Sequence, residues 1–241
     1  MSELPNSNRE YRSYADDRKK TDNMHALPCV QQVYADAGLR LLSKEEADNL
    51  FYGYNADDLD CDYGVDYICQ QKDGSYVFIQ ERMKPKKSGG YMDFNVRYER
   101  MTTKVSTEIN KIGLFMREFQ KGRFRFKNGY KQDIAPFFLV YCIVDEDQKR
   151  IIKRATVNLS VLVYYIEQGK IKFVRQGEPK YGFMNGYWDA KEQVFYSPIV
   201  TDYDGSSSFA CFNVQQMLIH FPEFDWIKAV GDWQIVRRKK N

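Results

Sequence analysis

The chain has 241 residues, of which 43% are hydrophobic and 29% are charged, and its formal net charge is +3. This is the composition of an ordinary globular protein, and no apolar run approaches the ~20 residues that a membrane-spanning helix needs. The polar N-terminal sequence excludes a secretory signal, so we expect a cytoplasmic protein without a membrane partner.

Cysteine and histidine give little support to a chemical site. The five cysteines form no C-x-x-C pair and only two histidines occur, His25 and His220. These numbers argue against a disulfide framework and a zinc site. Both histidines are interpreted as packed residues, which leaves carboxylates, lysines and arginines as the better candidates for chemistry.

The first elements predicted along the chain are two helices. Apolar residues recur at helical spacing in MHALPCVQQVYADAGLRLL, residues 24–42, where Gly38 is a natural terminator. Ser43 lies three residues before Glu46, which is the spacing of a capping box and predicts a second, short helix. The acidic segment YGYNADDLDCDYG, residues 52–64, is interpreted as a loop.

A β-hairpin is predicted next, because Asp73-Gly74 between two apolar runs is a strong turn signal. Its strands are residues 64–70 and 76–84. A helix is then predicted over residues 91–122. The apolar face of this helix would be formed by Phe94, Tyr98, Met101, Val105, Ile109, Ile112 and Met116.

The second half of the chain reads as a mixture of strands and helices. APFFLVYCIVDE, residues 135–146, predicts a central strand. Residues 158–174 fit either a helix or a strand up to Gly169, followed by a strand. Residues 197–212 are expected to form a strand and turn, and residues 213–224 a short helix.

The order of these elements predicts an α/β (α+β) fold with a central mixed sheet and flanking helices. We expect one domain over residues 21–241, with an aromatic-rich C-terminal region from about residue 175. Residues 1–20 are expected to be a flexible polar arm.

The register of the hairpin decides which side chains face one another. A two-residue loop places Glu81 opposite Asp66, whereas a three-residue loop with a glycine bulge places Gln80 there. In either register Asp66 meets an oxygen-bearing side chain, with Arg82 or Lys84 nearby. Oxygen ligands of this kind suit a hard divalent cation such as Mg²⁺.

GVD at residues 64–66 and VFIQERMK at residues 77–84 resemble the PD-(D/E)xK nuclease superfamily, which has the restriction-endonuclease-like fold. In that family an Asp begins one strand, an acid and a Lys two residues apart end the next, and together they hold Mg²⁺ and a water. The resemblance covers residues 25–165 and implies a preceding helix, the hairpin, a following helix and a central strand.

The resemblance implies a Mg²⁺ (or Mn²⁺) cofactor held by Asp66 and by Gln80 or Glu81. It also implies that Arg82 and Lys84 contact the scissile phosphate or position the attacking water. The sequence departs from the family because Met83, and not a Lys, stands two residues after Glu81. Gln80-x-Arg82, or Glu81 together with Lys84, would replace that motif.

Charge is distributed unevenly along the chain. Residues 45–66 contain eight acids and no base, whereas residues 84–131 contain thirteen bases and four acids. An acidic cluster beside a basic segment suits a metal site next to a polyanion. Two other interpretations stay open: a hairpin that is a solvated edge, and a calcium loop at Asp58, Asp60, Asp62 and Asp66.

The basic segment supplies the candidate nucleic-acid contacts. RFRFK, residues 123–127, alternates cations with phenylalanines, so the cations are expected to line a surface while Phe124 and Phe126 enter the core. Phosphate contacts of this kind give affinity without sequence information. The candidates are Lys86, Lys87, Arg97, Arg100, Lys104, Arg123, Arg125 and Lys127.

The sequence therefore predicts a metal-dependent, endonuclease-like hydrolase that cleaves phosphodiester bonds in nucleic acid, DNA in the first instance and RNA as an alternative. Because the acid-x-Lys motif is missing, a catalytically inactive nucleic-acid-binding protein of the same fold stays open. A protein-interaction module, such as an accessory factor of a phage or mobile element, is the other alternative. Assembly as a homodimer is left open.

Overall fold

The computed structural model describes residues 19, 22–86, 94–100, 124–127, 129, 131–132, 136–145, 147, 149–181, 186–201, 207–222 and 227–231. The predicted arm at residues 1–20 lies outside this part of the chain, apart from Lys19. Helices and strands mix along the described residues, which confirms the α+β class.

Helices account for the smaller part of the described structure, and a helical turn at residues 22–25 precedes the first of them. None of the helices in the described parts of the chain has the length and apolar character to cross a membrane. The helices are α1 (Pro28–Asp36), α2 (Lys44–Asp48), α3 (Ala56–Tyr63), α4 (Leu159–Glu167) and α5 (Val214–His220).

Strands supply the framework of the fold. The first seven are β1 (Arg40–Leu41), β2 (Tyr67–Gln70), β3 (Tyr76–Pro85), β4 (Phe94–Arg100), β5 (Phe124–Arg125), β6 (Lys131–Gln132) and β7 (Phe138–Val144). The remaining strands are β8 (Ile151–Asn158), β9 (Ile171–Val174), β10 (Tyr187–Asp189), β11 (Val194–Thr201), β12 (Ser207–Phe212) and β13 (Ile227–Gly231).

The first sheet has the strand order β1-β2-β3-β7-β8-β13. Strands β3 and β7 run parallel, and the other neighbours are antiparallel. A parallel pair needs a crossover, and here the crossover contains β4, β5 and β6. Strand β7 lies between β3 and β8 and is almost entirely buried, which confirms the central strand predicted from its apolar run.

The second sheet has the order β10-β11-β12-β4, with β9 parallel to β11. It packs against one face of the first sheet around β7 and β8, and α4 and α5 complete the same core. The contacts that join the two sheets include Phe94, Val96, Ala210 and Phe212 from the second, and Leu139, Tyr141, Ile143, Ala155 and Val157 from the first.

Two further apolar clusters cover the rest of the first sheet. Helix α1 packs on the face opposite to the second sheet, where Val30, Val33 and Tyr34 meet Cys69 and Cys142. A third cluster packs on the β2–β3 hairpin, on the face of the first sheet that the second sheet also covers. Its buried members are Ala47, Phe51, Leu59, Val65, Ile68, Phe78 and Phe126.

The helix predicted over residues 91–122 is wrong at its start, because Phe94–Arg100 is strand β4. Its apolar residues Phe94, Val96 and Tyr98 also have the period of two that a strand requires. Pairing with β12, where the ring of Phe94 stacks on Phe212 at 5.0 Å, decides between the two periods. Residues 101–122 of the predicted helix lie outside the described residues.

The segment interpreted as an acidic loop contains helix α3. Asn55 caps the helix by accepting from the N–H of Asp58, and Asp58 reaches back to the N–H of Asn55. Asp57 and Asp58 lie in the first turn, where the helix dipole favours negative charge. The negative residues of this segment therefore stabilise a helix start.

Most other expected elements are confirmed. Helix α2 begins with the predicted capping box of Ser43 and Glu46. The segment at residues 158–174, for which helix and strand were both open, is α4 followed by β9. Phe126 is buried as predicted, whereas nothing is described for the side chain of Phe124.

Candidate functional site

The β2–β3 hairpin has the three-residue turn, one of the two registers that the sequence left open. Tyr67 pairs with Ile79 and Gln70 with Tyr76. Gly74 has a φ of 85°, and its N–H donates to the carbonyl of Gln71 at 3.0 Å. That left-handed conformation is one that glycine adopts without strain. The turn therefore places Gln80 opposite Asp66.

Asp66 lies directly before β2, and one of its oxygens accepts two hydrogen bonds from β3. The side-chain Nε2 of Gln80 donates to Asp66 Oδ2 at 2.6 Å, and the backbone N–H of Glu81 donates to the same oxygen at 2.7 Å. The N–H of Asp66 in turn donates to the carbonyl of Ile79 at 2.9 Å. The carboxyl is thus fixed against β3.

A second carboxyl reaches Asp66 from the end of helix α3. Gly64, with a φ of 66°, terminates the helix and donates its N–H to the carbonyl of Asp60 at 3.0 Å. This reversal leads the chain from the last turn of α3 directly into β2. The carboxyl of Asp60 lies close enough to that of Asp66 to raise the pKa of Asp66.

Burial raises the pKa of Asp66 well above its ordinary value, and the neighbouring Asp60 carboxyl raises it further. The N–H of Glu81 and the guanidinium of Arg82 oppose this shift. Burial and Asp60 thus favour the protonated form of Asp66 more than water does. A divalent ion bound between the two carboxyls would favour the ionised form instead.

Arg82 and Lys84 follow Gln80 on the same face of β3. In the parallel register Gln80, Arg82 and Lys84 pair with residues of β7 that pack into the core between the sheets. The Arg82 guanidinium lies 5.7 Å from the ring centroid of Phe209 in β12, and Lys84 Nζ lies 5.5 Å from that of Tyr141.

These side chains form a row between two apolar clusters of the fold. On one side lies the cluster around Phe78, and on the other lies the core between the two sheets. We call the row the polar seam; it consists of Asp60, Asp66, Gln80, Arg82 and Lys84.

Glu81 does not join the polar seam, because successive side chains of a strand point to opposite faces. Its carboxylate is fully buried on the face covered by α1. There it accepts from His25 Nδ1 at 3.0 and 3.1 Å, one bond to each oxygen, and from the hydroxyl of Tyr34. Asp66 and Glu81, which the sequence suggested as joint metal ligands, therefore have their side chains on opposite faces of the sheet.

The environment of Glu81 also shifts the pKa of its neighbours. Burial raises the pKa of Tyr34 well above its ordinary value, and the Glu81 carboxylate adds to this effect. Burial, and then Glu81, raises the pKa of Cys69 and of Cys142 to about 12. Tyr34 therefore remains a hydrogen-bond donor, and neither thiol ionises near neutral pH.

The two histidines are packed against aromatic rings, as the sequence suggested. His25 stacks on Tyr67 with ring centroids 3.6 Å apart, and His220 stacks on Trp188 at 4.2 Å. What the sequence did not show is that His25 also holds Glu81. The two residues are 56 positions apart, so no local spacing could have indicated the contact.

The candidate nucleic-acid contacts are only partly described. Lys86 is exposed, and so is Lys127, whose Nζ donates to Asn49 Oδ1 at 3.2 Å. Arg97 is the cross-strand partner of Phe209 and so shares a face with the ring under Arg82. Arg100 and Arg125 lie in β4 and β5 without a described side chain. Lys87, Lys104 and Arg123 lie outside the described residues.

The oxygens of the polar seam fit a hard divalent cation better than zinc. Asp60 and Asp66 supply two carboxyls, and the amide of Gln80 supplies an oxygen once it turns its nitrogen away from Asp66. Mg²⁺ usually takes one or two carboxylates and completes its shell with water or phosphate. No cluster of three or more His, Cys, Asp or Glu side chains suited to a metal occurs among the described residues.

Comparisons of this chain with protein-family models, with curated proteins and with solved structures found no match.

The raised pKa of Asp66 predicts that the contribution of this residue to the stability of the metal-free protein falls as the pH rises. A carboxyl with a folded-state pKa above its unfolded value stabilises the fold fully below the unfolded value, and that contribution is lost as the pH rises through the folded value. Asp66→Asn removes this titration and keeps an oxygen acceptor. We expect the melting temperature of Asp66→Asn to exceed that of the wild type at neutral pH and to approach it in mild acid.

Asp57→Asn is the matched control for this experiment, because Asp57 is an exposed aspartate of the same acidic segment. Melting curves of the three proteins, recorded across the acid-to-neutral range without divalent cations, test the prediction. A difference between Asp66→Asn and the wild type that does not change with pH would contradict it.

Proposed function

We propose that the polar seam is the divalent-cation site of a phosphodiesterase that acts on nucleic acid, DNA in the first instance. The observation that carries the proposal is the Asp66 carboxyl, which Gln80 and the N–H of Glu81 hold against β3. The carboxyl of Asp60 is close enough to raise its pKa, and the positively charged Arg82 and Lys84 share its face of the sheet. Two acids held this close repel each other at neutral pH unless a proton or a cation lies between them.

Each residue of the polar seam has a chemical role in this proposal. Asp60, Asp66 and the amide oxygen of Gln80 would hold Mg²⁺ or Mn²⁺. When bound there, the ion would supply a Lewis acid for the phosphoryl group. Arg82 and Lys84 would bind the phosphate and stabilise its developing charge. Arg82 stays protonated, so it binds the phosphate and does not act as a base.

The topology of the first sheet supports the proposal. A helix and an antiparallel hairpin precede the central strand β7 in the order that the PD-(D/E)xK resemblance implies, whereas strand β4 stands where the resemblance implies the start of a helix. Asp66 stands at the start of the first hairpin strand, as that motif requires. The exposed Lys86, which follows β3 directly, and Lys127 add positive charge that a nucleic-acid backbone could contact.

The identity of Gln80 and Arg82 favours a second candidate, a protein of this fold that binds nucleic acid without cleaving it. These two residues occupy the face where the family motif has an acid and a lysine. An amide binds a cation more weakly than a carboxylate does, and a guanidinium cannot release a proton. Binding and cleavage therefore have to be measured separately.

Cleavage of DNA by the wild-type protein should require Mg²⁺ or Mn²⁺ and stop in EDTA. Asp66→Asn should lower the rate by about 100-fold or more, the scale on which loss of one preorganised electrostatic group acts. Asp57→Asn is the control, since its carboxylate is exposed and bonded to Lys44 at 2.8 Å. Gel assays with single- and double-stranded DNA and with RNA provide the measurement.

Two outcomes of this assay would reject the metal site: cleavage that persists in EDTA, and an Asp66→Asn protein as active as the wild type. No cleavage by a wild-type protein that still binds nucleic acid would establish the second candidate instead.

The double change Gln80→Glu with Arg82→Lys restores the acid-x-Lys spacing on the face of Asp66. We expect it to bind Mg²⁺ more tightly than the wild type, because it adds a carboxylate to the seam. We also expect faster cleavage, because a lysine can lose its proton and an arginine cannot. Calorimetric titration with Mg²⁺ and the same cleavage assay measure both effects.

Gln80→Glu alone separates the two contributions, since it changes the ligand and keeps the guanidinium. If neither variant binds Mg²⁺ more tightly than the wild type, Gln80 does not face the cation and the site has been assigned incorrectly.

A further inference from the structure

A buried polar cluster lies directly behind the polar seam, on the other face of the first sheet. It consists of Glu81, the two side chains that donate to it, His25 and Tyr34, and Tyr67, on which His25 stacks. We call these four residues the back clamp. No step of the proposed reaction uses them.

Glu81 is a charged residue at a core position that an apolar side chain could fill. Its neighbours on the same face of β3 are Val77 and Ile79, and the surrounding cluster is apolar. Taking a carboxylate out of water costs several kcal/mol, and a buried ion pair is often no more stable than the hydrophobic residues that could replace it. Stability alone therefore does not account for a fully buried Glu81.

The back clamp is joined to the polar seam through the backbone. The N–H of Glu81, on the residue whose side chain the clamp holds, donates to Asp66 Oδ2 at 2.7 Å. Gln80, the preceding residue, donates to the same oxygen at 2.6 Å. A rotation of β3 at Glu81 would move both donors away from Asp66.

His25 contacts both strands of the hairpin at this level. It holds Glu81 in β3 and stacks on Tyr67, the residue that follows Asp66 in the chain, with ring planes only 9° apart. The carbonyl of His25 is in turn held by Gln31 Nε2 at 2.7 Å. The imidazole of His25 thus contacts both strands of the hairpin, next to Asp66 on one and Gln80 on the other.

We propose that the back clamp positions Asp66 for cation binding, with His25 as its principal positioning residue. The N-terminal segment, from the turn at residues 22–25 through α1, is therefore part of the site although it packs on the opposite face of the sheet. This inference rests on the proposed function for the identity of the ligand, and on the hydrogen bond from Glu81 to Asp66 for the geometry.

His25→Phe tests the proposal, because it keeps a ring on Tyr67 and removes the donor to Glu81. We expect Mg²⁺ affinity, measured by calorimetry on the full chain, to fall by about tenfold or more, the scale on which loss of a group that orients a metal ligand acts. His25→Asn should recover most of the affinity, since its amide nitrogen can replace Nδ1. His220→Phe, the same change at the histidine that ends α5 and stacks on Trp188, should bind Mg²⁺ as the wild type does.

The NMR shift of the Glu81 amide proton gives a second measurement that needs no metal. We expect His25→Phe to move this shift toward that of a weaker hydrogen bond, and His220→Phe to leave it unchanged. If His25→Phe does not fold, Tyr34→Phe, which removes the other donor and keeps the ring, takes its place.

The outcomes separate this proposal from the proposed function. An unchanged Glu81 amide shift in a folded clamp variant overturns the positioning role, and so does unchanged Mg²⁺ affinity in a protein that binds Mg²⁺. The positioning role is also overturned if His25→Asn does not restore the Mg²⁺ affinity that His25→Phe loses. If the wild type binds no Mg²⁺, the proposed function fails and the amide shift alone decides whether the clamp positions Asp66.

Discussion

The hydrogen bond from the peptide N–H of Glu81 to the carboxyl of Asp66 joins the two strands of the hairpin. At this point the polar seam lies on one face of the sheet, and the buried side chain of Glu81 lies on the other. The hydrogen bond forms because the turn at Gly74 sets the register of the two strands. Since side chains alternate along a strand, the register also decides which face each residue of β3 occupies. Gln80, Arg82 and Lys84 face the second sheet, whereas Glu81 faces α1. A shift by one residue would exchange these sets.

This arrangement buries one carboxyl on each face of the sheet, Glu81 on one side and Asp66 on the other, and the two have different partners. On the side of α1, the carboxylate of Glu81 accepts hydrogen bonds from His25 Nδ1 and from the hydroxyl of Tyr34. On the other side, burial and then the neighbouring Asp60 carboxyl raise the pKa of Asp66. Arg82 offsets only part of that cost. A cation bound at the polar seam would therefore stabilise the protein.

Much of the fold follows from the sequence, and the failures have physical causes. The Asp73-Gly74 turn, the capping box at Ser43 and the apolar run of β7 are local signals, and each gave the right element. The start of β4 has an apolar pattern that fits both a helix and a strand, and its partner β12 is more than 100 residues away. The contact of His25 with Glu81 likewise depends on tertiary packing.

Diffraction from crystals soaked in Mn²⁺ tests the central claim most directly, because the anomalous signal of manganese locates the ion without reference to activity. The account predicts one strong peak between the carboxylates of Asp60 and Asp66, at about 2.1 Å from an oxygen of each, the distance at which a small hard cation is held. A peak elsewhere in the molecule, or an empty polar seam at saturating Mn²⁺, would contradict it.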